Sequence, residues 1–258
     1  MAVKTKKKTE VKTLERGNIY FFYRPKIEEE DPGSLEEVQR LYLVLSPDKE
    51  ERYRLAILGK KRLPEPGEKG QRYWGFIDIV RKSPNSIKDE LSGDKYRTKT
   101  RGKRYVPPAR PLGEGVYRLV LHNDHTHFVY ALELPEQSGE VQKEFQIEAE
   151  GSFVISIKNP ETPSPRGAGL RPSQEARFSK QLQGKFRGRR FAEADPPDFL
   201  NKEGAEFILI AAAEDIKKEL GLDLNPEEET GNSADIFKDL RLDKSEHPTK
   251  PLFEGKWD

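Results

Sequence analysis

The chain has 258 residues, with 46 basic and 45 acidic side chains, no cysteine, and a hydrophobic fraction of 34%. Without cysteine there is no disulfide framework, thiolate nucleophile, cysteine-ligated zinc or iron–sulfur cluster. No apolar run reaches the ~18 residues of a membrane span, and the lysine-rich start lacks the apolar stretch of a secretory signal, so the expectation is a soluble, cytoplasmic protein with no membrane partner.

In chain order, residues 1–15 read as a basic, disordered tail. The aromatic run Ile19-Tyr20-Phe21-Phe22-Tyr23 predicts the first strand. Asp31-Pro32-Gly33 breaks the chain, and residues 38–45 and 53–58 predict two more strands joined as a hairpin. Residues 73–80 predict a fourth. Residues 81–114 show little apolar periodicity and many charges and breakers, so they read as a linker or a long basic loop.

Gly115 opens the clearest hairpin, with arms at 116–122 and 125–134. Residues 145–147 and 152–157 predict further strands, and the Pro/Gly-rich stretch 160–172 a loop. A helix is expected over 172–182 with Ser173 as its N-cap, and a helical turn from Asp195. A buried strand follows over 205–212, then a helix over 214–220 stopped by Gly221 and an acidic loop over 225–232. Phe237, Leu240, Leu242, Leu252, Phe253 and Trp257 look like anchors that dock a C-terminal tail on the body.

Strand signals dominate. The expected class is mainly β with minor α: antiparallel sheets or partly closed barrels, with short helices in the C-terminal third. Two β-rich modules at 16–80 and 115–236 are conceivable, flanking the 81–114 segment and followed by the docking tail 237–258. A loose match between residues 40–45 and 117–121 hints at an internal repeat.

Net charge is +1, but it is unevenly placed: residues 1–110 hold 27 Lys/Arg and 17 Asp/Glu, and the remainder 19 and 28. A basic half and an acidic half can bind different partners or attract each other.

Three of the four histidines fall in His122-Asn123-Asp124-His125-Thr126-His127. If Asn123-Asp124 is a two-residue turn, His122 faces His125 across the ladder, and period two puts His127 on the same face. Val120, Arg118, Val129 and Glu133 share that face. Tyr117, Leu119, Leu121, Phe128, Tyr130, Leu132 and Leu134 form the other, which must point at a core. Three imidazoles on one face suit a divalent metal such as zinc, with a carboxylate completing the set. The blander reading is three ordinary residues at a polar hairpin tip.

Basic residues interleaved with aromatics occur twice. One stretch is 96–105, carrying Arg101, Lys103 and Arg104; the other is 186–191, carrying Arg187, Arg189 and Arg190. Both suit anion or nucleic-acid contact. The competing reading is solvated loops in a highly charged chain. No phosphate-cradling loop or nucleophile elbow is present.

Three readings stand on the sequence. The first is a β-rich binding or regulatory protein with an unknown protein or small-molecule partner. The second is a metal-dependent enzyme or metal-binding protein built on the histidine hairpin. The third is a nucleic-acid-associated protein using the basic aromatic loops.

Overall fold

The structure is a computed structural model that describes residues 11–65, 68, 70–165, 168–212, 216–226 and 234–258. Among the described residues eleven strands form: β1 (Val11–Pro25), β2 (Val38–Pro47), β3 (Tyr53–Leu58), β4 (Arg72–Arg81), β5 (Asp94–Thr98), β6 (Gly102–Val106), β7 (Arg110–His122), β8 (His125–Leu134), β9 (Glu150–Lys158), β10 (Phe191–Glu193) and β11 (Glu206–Ala211). Six short helices accompany them: α1 (Asn85–Leu91), α2 (Glu140–Glu144), α3 (Lys180–Lys185), α4 (Ile216–Leu220), α5 (Asp235–Asp239) and α6 (Lys250–Glu254).

Eight strands close into an antiparallel barrel in the ring order β1-β2-β3-β4-β11-β9-β8-β7, with β7 returning to β1. The short β10 extends the β8 side of β9, and β5 and β6 make a separate two-stranded sheet. The fold class is therefore mainly β with a closed barrel, a small open sheet and a few short helices. The segments 16–80 and 115–236, set apart above, supply the strands of one ring. The second set of four runs round that ring in the opposite sense to the first. The matching stretches 40–45 and 117–121 lie in β2 and β7, which hold different places in the two sets.

Ring order also explains the length of the 81–114 segment. If β1 ends at the upper rim, β4 ends at the lower rim and β7 begins at the upper one, opposite Tyr23. The connection must climb the height of the barrel. It does so as α1 and then the β5–β6 hairpin, two elements that its charged sequence did not announce.

Alternation sorts the long strands into two apolar layers. Ile19, Phe21 and Tyr23 point inward with Leu43, Leu119, Tyr130, Phe153 and Leu209. Tyr20 and Phe22 point outward and are covered by Ile87 and Leu91 of α1 and by Ile236, Phe237, Leu240, Leu242 and Leu252 of the C-terminal segment. A strand covered on both faces has no polar positions to show, which is why residues 19–23 are unbroken apolar. Of the expected anchors, Phe237, Leu240, Leu242, Leu252 and Trp257 are buried, while Phe253 is exposed. Tyr20 Oη donates to Asp239 Oδ2 at 2.6 Å, and the amide of Ile236 to Glu114 Oε2 at 2.7 Å, fixing the same segment. Gly115 sits at a register shift where a Cβ would lie 2.1 Å from the carbonyl oxygen of Ala131, so only glycine lets β7 and β8 approach there.

Several local elements differ from the sequence reading. Residues 11–15 belong to β1. Residues 145–147 follow α2 rather than forming a strand; Phe145 caps that helix and joins Tyr23 and Trp257 in an aromatic plug at the upper rim, with ring centroids 5.3–5.7 Å apart. No helix forms over 172–179, and Ser173 lies in a turn; α3 begins only at Lys180 and is capped by Ser179, whose hydroxyl accepts from the amide of Leu182. Phe178, Phe186 and Phe199 close the lower rim. The start of the 214–220 helix and most of the 225–232 loop lie outside the described residues.

Candidate functional site

The barrel interior is a packed core. The void among Leu43, Leu45, Ala56, Ile77, Phe128, Ile155, Leu200, Phe207 and Leu209 is about 20 Å³, and an apolar space of that size takes no ligand. Function must then be sought on the rims and the outer surface.

At the lower rim a cleft of about 440 Å³ lies over a buried ion pair. Arg54, fully buried, donates from Nη1 and Nη2 to the two carboxylate oxygens of Glu15 at 2.6 and 2.8 Å, and from Nε to Asn201 Oδ1 at 2.8 Å. Tyr117 Oη adds a bond to Glu15 Oε1 at 2.7 Å. Burial and the Glu15 carboxylate push the Tyr117 phenol well above its usual pKa, so it stays a donor. The guanidinium, the carboxylate and the phenol each meet a partner within this set, which is the signature of a structural network. A second buried cation, Lys158, bridges Glu175 at 2.7 Å and Glu206 at 3.2 Å and ties the loop after β9 to β11.

The histidine hairpin has the expected register. His122 pairs with His125, His127 pairs with Val120, and Asn123 takes a left-handed φ of 55° in the two-residue turn. His127 packs 5.7 Å from His122, ring to ring. The three side chains are not equivalent: His125 is exposed, His122 half-buried and His127 buried, with its Nδ1 lacking a hydrogen-bond partner among the described residues. Among the described residues no group of three or more His, Cys, Asp or Glu side chains is arranged to hold a metal ion. On the opposite face, Tyr117, Leu119, Phe128, Tyr130 and Leu132 enter the barrel core, whereas Leu134 turns to the outer layer past the bulge at Glu114/Gly115.

Burial first, then His122 and His125, lowers the pKa of His127 from 6.5 to about 4. The unfolded chain takes up this proton near pH 6.5 and the folded chain only near pH 4. Stability is therefore full above pH 6.5 and falls as pH drops through that window, by up to about 3 kcal/mol. Urea midpoints measured from pH 7 to pH 4 are expected to fall in the wild type, and His127→Leu is expected to flatten that part of the profile. An equal acid slope in the variant would remove His127 as its source.

The second basic stretch is at the lower rim, beyond β9. Arg187 is exposed with a φ of 50°. Arg189 pairs with Glu193 at 3.2 Å, and Arg190 donates to the Pro163 carbonyl at 2.8 Å. Two of its three guanidinium groups are thus engaged locally.

The first basic stretch is differently built. Residues 94–106 hold six Lys/Arg and one acid. They form the β5–β6 ribbon, paired from Asp94↔Val106 to Thr98↔Gly102, with the turn at 99–101. Lys95, Arg97, Lys99, Arg101 and Lys103 are all exposed, and none of the five has an ion-pair partner among the described residues. Arg97 lies directly opposite Lys103, a placement that destabilises an antiparallel pair. Arg104, half-buried, meets Glu28 at 3.5 Å. Lys95 Nζ sits 5.6 Å over the ring of Tyr105.

Two buried arginines mount this ribbon on the barrel. Arg24 donates from Nε to Tyr42 Oη at 3.1 Å, from Nη1 to the carbonyls of Ser92 at 3.2 Å and Pro107 at 2.6 Å, and from Nη2 to that of Glu90. It therefore grips the chain just before β5 and just after β6. Arg110 bonds Asp258, at 2.6 Å, and the carbonyls of Pro108 and Glu30. The edge of β6 is further held by reciprocal bonds between Glu28 and Tyr105. The buried mount is not legible in the sequence; its one signal is a charged residue, Arg24, directly after the unbroken apolar run 19–23.

No family model matches the chain, and no curated protein or solved structure is significantly similar to it. No helix among the described residues is long and apolar enough to cross a membrane.

Proposed function

We propose that this chain is a non-enzymatic nucleic-acid-binding protein in which the barrel is a rigid mount and the β5–β6 ribbon makes the contact. The observation that carries this reading is the run of five exposed cations without ion-pair partners among the described residues, including Arg97 directly across from Lys103. Such an array costs stability in the free protein and is relieved by a polyanion. The packed interior supports a surface role over a cavity-binding one.

The test is fluorescence anisotropy with labelled oligonucleotides, comparing the wild type with a variant carrying Gln at Lys95, Arg97, Lys99, Arg101 and Lys103. The wild type is expected to bind at about 50 mM salt with a steep salt dependence, and the variant to lose most of that binding and roughly 4 to 5 from the log–log salt slope. Its unfolding midpoint is expected to be unchanged or higher, because repulsion across the ribbon is gone. Wild type that binds no oligonucleotide, or a variant that binds as well as wild type, contradicts the proposal.

A further inference from the structure

Resting on the nucleic-acid reading, we infer that the ligand is a B-form duplex and that the ribbon enters its major groove. Three observations point there. The first is shape. A ribbon of two paired five-residue strands is one strand spacing across, about 5 Å between backbones. The B-form major groove is about 12 Å wide and admits a two-stranded ribbon. The major groove of A-form RNA is too narrow and deep for one.

The second observation is where the charges lie. Cross-strand partners share a face, so Lys95, Arg97 and Lys103 line one side with Tyr105, while Lys99 and Arg101 occupy the turn at the leading end. A ribbon inserted tip-first carries Lys99 and Arg101 towards base edges and brings Lys95, Arg97 and Lys103, all on one face, past the phosphate row of one wall. Lysine and arginine are suited to both contacts.

The third observation counts against a single strand. Single-strand sites offer open aromatic faces on which bases stack. The ribbon's two aromatics, Tyr96 and Tyr105, are both half-buried, and Lys95 already covers the Tyr105 ring.

The experiment uses the full chain and four probes of matched sequence and length: duplex DNA, single-stranded DNA, duplex RNA, and duplex DNA whose cytosines carry glucosyl-hydroxymethyl groups that fill the major groove. Plain duplex DNA is expected to bind at least about tenfold tighter than each of the other three at equal salt. Equal or tighter binding of single-stranded DNA, duplex RNA or the groove-filled duplex overturns the groove inference and leaves the nucleic-acid reading standing. Failure of all four probes at about 50 mM salt overturns both. A competitor of polyglutamate that displaces plain duplex as well as unlabelled duplex does, charge for charge, overturns both in favour of an acidic protein partner.

Discussion

Arg54→Met is expected to destabilise the protein by about 3–5 kcal/mol, because it leaves the Glu15 carboxylate inside the barrel rim without its cation. Arg54 makes three hydrogen bonds of 2.6 to 2.8 Å, two of them a fork onto Glu15, and is fully buried. Methionine replaces much of its volume, so the loss is electrostatic rather than a cavity. Tyr117 can still donate to the carboxylate, but one neutral hydrogen bond does not replace a bidentate charged pair. The double variant Glu15→Gln, Arg54→Met is expected to recover a large part of the loss, since no buried charge then lacks a partner. Urea unfolding of the wild type and the three variants, including Glu15→Gln alone, measures the cycle. A double variant no more stable than Arg54→Met would mean that the pair is not what holds the lower rim.

The second large effect is expected at Arg24, and it links the fold to the ribbon. Arg24→Met strips the donors from Tyr42 Oη and from three backbone carbonyls, at Glu90, Ser92 and Pro107. A buried carbonyl left unpaired, as at Pro107, costs about 1–3 kcal/mol, and the part-buried ones at Glu90 and Ser92 less, so a net loss of about 2–4 kcal/mol is expected. The same change releases both feet of the ribbon while leaving all its surface charges in place. At a temperature where the variant is folded, amides of β5 and β6 are expected to exchange faster and duplex affinity to fall. The salt slope should stay near the wild-type value, because the exposed cations of the ribbon are all retained. Arg24→Lys keeps the charge but not the planar fork, and should be intermediate. Unchanged affinity in a folded Arg24→Met protein would show that the mount does not matter to binding.

How far the sequence reached follows from what is local in it. The strands β2, β3, β4, β7 and β8 were legible because alternation and turn residues are local signals, and Asn123-Asp124 set the histidine register correctly. Barrel closure was not legible. It depends on β1 meeting β7, β4 meeting β11 and β8 meeting β9, and no local pattern specifies pairing between distant strands. The buried cations were missed for a related reason. Arg24, Arg54 and Lys158 look like surface charges until the partners Tyr42, Glu15, Glu175 and Glu206 are brought to them by the ring.

The ribbon is the instructive case. Its sequence Lys95-Tyr96-Arg97-Thr98-Lys99 does alternate with period two, but the repeating residue is a cation rather than an apolar one. A search for apolar faces therefore returns a loop. The sequence picks out Arg101, Lys103 and Arg104 in the 96–105 stretch; the structure exposes Lys95, Arg97 and Lys99 beside Arg101 and Lys103 and turns Arg104 towards Glu28. It also separates this stretch from Arg187, Arg189 and Arg190, which lie at the other rim.

The most direct measurement of the account is amide hydrogen exchange of the full chain with and without saturating duplex DNA. Protection concentrated in residues 94–106, with the lower-rim cleft and the 186–191 turn unchanged, is the predicted result. Protection at the lower rim with none in the ribbon would contradict it.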